Sequence, residues 1–191
     1  QIKLPRGIAF HITPGNVDTM FAYSWLISLL AGNQNIVRLS TKSGEAQQQL
    51  VTVINTLLKS QKYKEIKKNN TFINYPHNDE ITAFLSSLCD VRIIWGGDET
   101  IRKIRQYPTS TTCKGIVFAD RFSLALFNSK EILLSDNLDK LCQLFYRDIF
   151  TFGQQACSSP RMLLWYGSKA ENKKAKEVFW PIFKTYLKST P

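Results

Sequence analysis

The segment Thr151-Phe152-Gly153-Gln154-Gln155-Ala156-Cys157-Ser158-Ser159-Pro160-Arg161 sets one cysteine among glycine, small residues and proline. A thiolate in such a setting is a nucleophile for carbonyl chemistry, and small neighbours let a substrate approach the backbone closely. The segment falls on a loop between a predicted helix and a predicted strand, a position that favours function over packing. An inert buried cysteine would suit the same spacing, and spacing alone leaves both readings open. The other cysteines, Cys89, Cys113 and Cys142, form no C-x-x-C pair. Neither His11 nor His77 sits at ligand spacing from them, so no metal site is expected. Scattered cysteines suggest a reducing compartment, with the cytoplasm the expected location.

These residues must be positioned by an alternation of short β-type runs and helical patterns. Strands are predicted at Gly7 to Thr13, Asn35 to Leu39, Thr71 to Tyr75, Val91 to Trp95, Gly115 to Phe118, Ser123 to Phe127 and Arg161 to Trp165. Helices are predicted from Asp18 to Leu30, from a Ser43 cap to about Lys59, from Glu80 to Leu88, from Asp98 to about Gln106 and from Asn137 to Ile149. A basic helix follows from about Ala170 and is expected to break near Pro181. The β-α-β-α order implies an α/β fold with a mainly parallel sheet. Ligands bind beyond the carboxyl ends of such strands. The loops at Pro14 to Asn16, Ser40 to Ser43 and Gly96 to Asp98 each follow a strand and should cluster on one sheet edge. No G-x-G-x-x-G, G-x-x-x-x-G-K-[ST] or G-x-S-x-G motif occurs, so a dinucleotide site would need a different construction.

The 191 residues carry a net charge of +10. That balance fits a solvated basic surface, a nucleic-acid partner or a small polyanion such as a dinucleotide or coenzyme A. Lys62 to Lys68 offers charge but only Tyr63 as an interleaved aromatic, which argues against a nucleic-acid module. The basic stretch from Lys169 to Lys188 reads as a solvated helix face, with contact to coenzyme A phosphates or a partner subunit as its functional alternative. His11 lies inside a predicted strand and reads as structural. No repeat, low-complexity tract or signal peptide is visible, and the apolar stretch from Phe21 to Ala31 is too short to span a bilayer. Without an initiating Met, the chain reads as an excised piece of a longer protein.

Four segments, in order, resemble the aldehyde dehydrogenase superfamily. Thr13-Pro14-Gly15-Asn16 resembles its Pro-x-Asn turn. Leu30-Ala31-Gly32-Asn33 through Ile36-Val37-Arg38-Leu39-Ser40 resembles its Ala-Gly-Asn…Val-Lys-Pro-Ser segment. Trp95-Gly96-Gly97-Asp98-Glu99-Thr100 resembles the turn over the cofactor, and the Cys157 segment resembles the cysteine motif. The variant Phe-Gly-Gln-x-x-Cys-Ser-Ser-Pro-Arg is closer to the long-chain acyl-CoA reductases, the aldehyde-forming subunit of bacterial bioluminescence systems. The resemblance implies a three-layer α/β/α fold, with residues 1–150 forming an NAD(P)-binding Rossmann-like domain and 151–191 opening a catalytic domain.

The resemblance also implies roles. Cys157 would attack the thioester of acyl-CoA, and the acyl-enzyme would be reduced by NAD(P)H to free aldehyde. The Asn16 amide and the Cys157 N–H would hold the oxyanion. Thr13, Pro14, Arg38, Ser40, Thr41, Lys42, Gly96, Gly97 and Asp98 would contact the cofactor. Arg38 stands where a ribose-contacting lysine is usual, and Thr41 where NAD-preferring members carry glutamate. With Lys42 adjacent, both features lean towards NADPH over NADH. The water-activating glutamate of hydrolytic members has no counterpart in Val117 to Phe122, although Asp120 is a shifted candidate. Its absence favours thioester reduction over the rival reading, oxidation of an aldehyde. A homo-oligomer or an acyl-transferring partner subunit is the expected association.

Overall fold

The protein is described by a computed structural model covering residues 4–42 and 44–190. The expected helix cap Ser43 lies outside the described residues. The chain forms two compact units, Gln1–Asp120 and Arg121–Pro191.

The first unit runs β1 (Ile8–Ile12), α1 (Met20–Leu30), β2 (Gln34–Arg38), α2 (Glu45–Leu57), a single 3-10 turn at Gln61–Tyr63 and α3 (Lys64–Lys68). It continues through β3 (Asn70–Ile73), α4 (Asp79–Leu88), β4 (Val91–Trp95), α5 (Asp98–Arg105) and β5 (Lys114–Phe118). The five strands form one parallel sheet in the order β3-β2-β1-β4-β5. Alternating side chains of the strands serve two separate cores. Val37 and Leu39 pack with Phe21 and Trp25 of α1 and with Ile54 and Leu58 of the α2 region. Phe10, Ile12 and Ile94 pack on the other face with Ile101 and Ile104 of α5, with Leu85 of α4 against them. Helices therefore cover both faces, as the expected α/β/α layering requires. The chain fills one side of β1 first and then crosses to β4 on the other. The strand order reverses between β1 and β4, where open α/β sheets place ligands.

A buried polar chain crosses the α1 face. His11 bonds Ser24 through Nδ1 at 2.8 Å and Asn35 Oδ1 through Nε2 at 2.9 Å. Because Asn35 Oδ1 can only accept, Nε2 carries the proton and Nδ1 accepts from the Ser24 hydroxyl. Asn35 Nδ2 donates to Asn70 Oδ1 at 2.8 Å, which also accepts the Trp25 indole N–H at 2.7 Å. Burial drives the His11 pKa down to about 4, so the ring is neutral near pH 7. His11 is structural, as its strand position suggested.

The second unit runs β6 (Ser123–Asn128), α6 (Ser129–Leu134), α7 (Leu138–Phe150), a 3-10 turn at Thr151–Gln154, β7 (Pro160–Tyr166) and α8 (Lys169–Ser189). The parallel pair β6–β7 turns Ala125, Phe127, Leu163 and Trp165 towards its helices. There Phe127, Phe145, Phe179 and Phe183 form a connected set of ring contacts with centroids 4.9–5.9 Å apart. Residues 123–150, grouped by the sequence reading with 1–150, thus share a core with β7 and α8. Two local expectations need correction. The helix at the end of the chain does not break at Pro181 but continues to Ser189. Proline removes one backbone bond at a cost of about 3 kcal/mol, and the buried Phe179 and Phe183 on either side hold the helix to the core. The helix α6 was not anticipated. At six residues it is too short for periodicity, and it is defined by Asn128, whose side chain accepts from Lys130 N and Glu131 N. No helix among the described residues is long and apolar enough to cross a membrane.

Candidate active site

In the second unit, α7 ends in an unusual turn. Phe152, Gly153 and Gln154 all have left-handed backbone, with φ of 57°, 59° and 64°. For L-residues this conformation costs roughly 1–2 kcal/mol each, so the chain spends local stability to redirect itself after the helix. A tight turn follows. The Ser159 N–H donates to the Ala156 carbonyl at 3.0 Å, with Cys157 and Ser158 at its tip. Ser159 is buried and anchors the turn, while Cys157 is exposed. Ser123 Oγ donates to the Cys157 carbonyl at 2.6 Å, tying the tip to the start of β6. Beside the turn an open hollow of about 570 Å³ is lined by Arg147, Asp148, Thr151, Phe152, Ala156 and Ser158, among others.

Two of the remaining cysteines, Cys89 and Cys142, are poor nucleophiles. Cys89 is buried, and its burial raises the thiol to about 12. Its Sγ lies 3.8 Å from that of the half-buried Cys113. Cys142 is buried in the helical core, and desolvation raises its pKa also. Only thiolates attack carbonyls efficiently, so exposure and an unhindered thiol favour Cys157.

In the first unit the predicted loops do meet on one edge, at the carboxyl ends of β1, β2 and β4. Thr13 Oγ1 donates to the Arg38 carbonyl at 2.7 Å. A Cβ on Gly15 would lie 2.5 Å from Ser40 Oγ, so the two loops approach closely there and any larger residue would have to displace the Ser40 hydroxyl. Ser40 Oγ also accepts the Lys42 N–H at 3.1 Å. Across the sheet, a Cβ on Gly97 would lie 3.1 Å from Asp120 Oδ2, which places the shifted acid candidate against the Gly96–Gly97 turn. Gly97 caps α5, and Asp98 begins it. Pro14 is half-buried, and Asn16, Thr41, Lys42 and Asp98 are exposed. Cys157 belongs to the second unit and Asn16 to the first.

Arg38 is the most informative of these residues. Its guanidinium is buried, lies 4.8 Å from the Tyr75 ring centroid and donates to the Tyr75 carbonyl at 3.3 Å. Its Nε has no partner among the described residues. A buried donor left unpaired is costly. Arg38 also lines a cavity of about 250 Å³ with Ile12, His77, Asn78, Lys103 and Tyr107. At its rim Lys103 pairs with Asp79 at 2.7 Å, and the hydrogen bond from Lys103 holds the Asp79 carboxyl below its usual range. The lining sets the cations Arg38 and Lys103 and the carboxylates Asp79 and Glu99 around the apolar Ile12 and Ile104. The sequence reading passed over Tyr75, His77, Lys103 and Tyr107. A signal for the first two existed, since residues 74–78 follow a parallel strand and must reach the same edge. Ser123 carried none.

Comparison with known proteins identifies the family and the fold. Residues 1–182 match the family described as acyl-CoA reductase (LuxC). The long-chain acyl-protein thioester reductase of Aliivibrio fischeri is 24% identical over 165 residues, covering 85% of this chain and 33% of that protein. Long-chain acyl-protein thioester reductase 2 of Photobacterium leiognathi is 23% identical over 170 residues, covering 88% and 34%. The chain thus spans about a third of the length of these relatives. Among solved structures, an acetylating aldehyde dehydrogenase from Geobacillus thermoglucosidasius superposes with a TM-score of 0.71 at 16% identity, over 96% of this chain and 37% of that one. A glyceraldehyde-3-phosphate dehydrogenase from Methanocaldococcus jannaschii, complexed with NADP, gives 0.65 at 19% identity, over 92% and 37%. The fold is that of the aldehyde dehydrogenases, and the chain belongs to the acyl-CoA reductase (LuxC) family.

Proposed function

We propose that the protein reduces long-chain acyl thioesters to aldehydes through an acyl group carried on Cys157. One observation carries this reading: of the four cysteines, the one in the family's motif is also the exposed one, on a turn anchored from both sides. The Cys157 thiolate attacks the thioester carbonyl, its sulfur–carbon bond forms, and the carrier thiolate leaves and takes up a proton. Collapse after reduction frees the aldehyde and returns the thiol. Asn16 keeps the role that the resemblance gives it, donating its side-chain amide to the developing oxyanion. Such a donor is worth about 3 kcal/mol of barrier.

A reduced nicotinamide, when bound, supplies the hydride. The first unit fits such a group, because Arg38, a buried cation whose Nε has no partner among the described residues, belongs to the lining of a cavity at the strand ends, with the Gly15 and Gly97 turns on the same edge. Thr13, Pro14, Ser40, Thr41, Lys42, Gly96, Gly97 and Asp98 belong to the loops and helix start on that edge, and are proposed to hold the dinucleotide. NADPH is the proposed form. Thr41 presents no carboxylate to repel a 2′-phosphate, and Lys42 follows it. Thr41→Glu is expected to weaken NADPH binding selectively, read by fluorescence titration of both cofactors. In this reading residues 1–150 serve the cofactor and 151–191 open the catalytic part.

The thioester is carried either by coenzyme A or, as the names of the relatives suggest, by a protein thiol. Mixing the full-length protein with each donor in the absence of cofactor separates the chemistry from the carrier. The expected result is accumulation of acyl-enzyme with little free acid, because no glutamate activates water. A general base would accelerate hydrolysis by about two to four orders of magnitude. Addition of NADPH then releases aldehyde. Rapid loss to free acid, abolished by Asp120→Asn, would instead mark a hydrolytic enzyme with Asp120 as base.

A further inference from the structure

We infer that Ser123 is a positioning residue for the Cys157 turn: it holds the Cys157–Ser158 peptide plane and so limits rotation of the neighbouring plane, whose Cys157 N–H is presented to the reacting carbonyl. The inference rests on the proposed role of Cys157. A trans peptide is planar, with its C=O and N–H pointing in opposite directions. The Ala156 carbonyl points into the turn, where it accepts from Ser159 N at 3.0 Å. The Cys157 N–H shares that plane and therefore points out of the turn. The next plane, Cys157–Ser158, is held by the Ser123 hydroxyl, which donates to the Cys157 carbonyl at 2.6 Å across 34 residues of sequence. Two successive planes are thus fixed from opposite sides, and the φ and ψ of Cys157 between them have little freedom.

The anchor itself is well placed. Ser123 is the first residue of β6, and it pairs with Pro160 at the start of β7. An irregularity in the β6–β7 register falls between Ser123 and Leu124. The extra residue is on β7, where Arg161 stands between the partners of Ser123 and Leu124, and the strand-start hydroxyl of Ser123 reaches the turn. Upstream of the turn, Phe152, Gly153 and Gln154 are all exposed and left-handed.

Two reactions of the same thiol separate positioning from simple exposure. Alkylation by iodoacetamide needs an accessible thiolate and develops no oxyanion. Acyl transfer from a thioester needs the N–H as well. The full-length protein is compared with Ser123→Ala and Ser123→Thr, following both reactions at Cys157 by mass spectrometry of the quenched protein and checking fold by circular dichroism. Losing one hydrogen bond of ordinary strength is expected to slow acyl transfer about tenfold in Ser123→Ala. Alkylation should stay within about twofold, as the bond does not cover the thiol. Ser123→Thr, which keeps the hydroxyl, should recover most of the acylation rate. Unchanged acylation in Ser123→Ala would overturn the inference. So would a parallel change in both reactions, which would make Ser123 a general support of the loop. The underlying reading fails separately: if Cys157→Ala still becomes acylated elsewhere at the normal rate, Cys157 is not the nucleophile whatever Ser123 does.

Discussion

The two units bear their functional loops in opposite ways. On the first, the loops after β1 and β2 are tied to each other by the Thr13–Arg38 bond and the close approach of Gly15 to Ser40, and the turn after β4 packs against Asp120, over a sheet covered on both faces. On the second, Cys157 sits at the tip of an exposed turn above a two-stranded sheet with helices on one face only. The other face presents Leu124, Leu126, Met162, Leu164 and Tyr166 to solvent. The difference suits two tasks. A dinucleotide is recognised by many weak contacts from a preformed edge. A nucleophile needs few supports but must remain reachable.

The contrast can be broken most severely through the core of the second unit. Phe179 is fully buried and touches the rings of Phe127, Phe145, Trp165 and Phe183. Phe179→Ala should cost about 3–5 kcal/mol, as truncating a buried aromatic leaves a cavity. Urea denaturation should show the loss, while the polar chain around His11 in the first unit should remain intact.

The first unit is the more sensitive to acid. His11 has a folded pKa of about 4 against an ordinary 6.5, so in this range the unfolded state binds more protons than the folded state. Stability is fully present above pH 6.5 and falls as the pH drops towards 4, by about 3 kcal/mol in all. Urea midpoints measured across this window should decline, and His11→Gln should flatten the decline. A decline unchanged by that substitution would place the acid sensitivity elsewhere.

The smallest expected effect lies at the start of α8. Ser168 Oγ accepts from Glu171 N at 3.3 Å, and Glu171 returns a bond to Ser168 N at 2.7 Å. Ser168→Ala should cost about 1 kcal/mol, visible as a small fall in the melting temperature without change in Cys157 alkylation.

The sequence was legible where local signals are strong. β4 was read from Val91 to Trp95, the bounds observed, because an apolar run meets two glycines. The clustering of strand-end loops followed from parallel topology alone. Features that depend on distant partners were not legible. Pro181 reads locally as a break, yet the aromatic core on both sides of it keeps α8 whole. Arg38 was identified, but not that Tyr75 would cover it or that its buried Nε would find no partner among the described residues. Ser123 looked like any strand-start serine, because its partner lies 34 residues away.

The central claim is that Cys157 carries the acyl group. The direct test is to incubate the full-length protein with a long-chain acyl thioester, without cofactor, and to map the adduct by mass spectrometry. The account predicts one acyl group per chain on Cys157, absent in Cys157→Ala and discharged by added thiol or by NADPH. Acylation confined to Cys89, Cys113 or Cys142, or unaffected by Cys157→Ala, would contradict it.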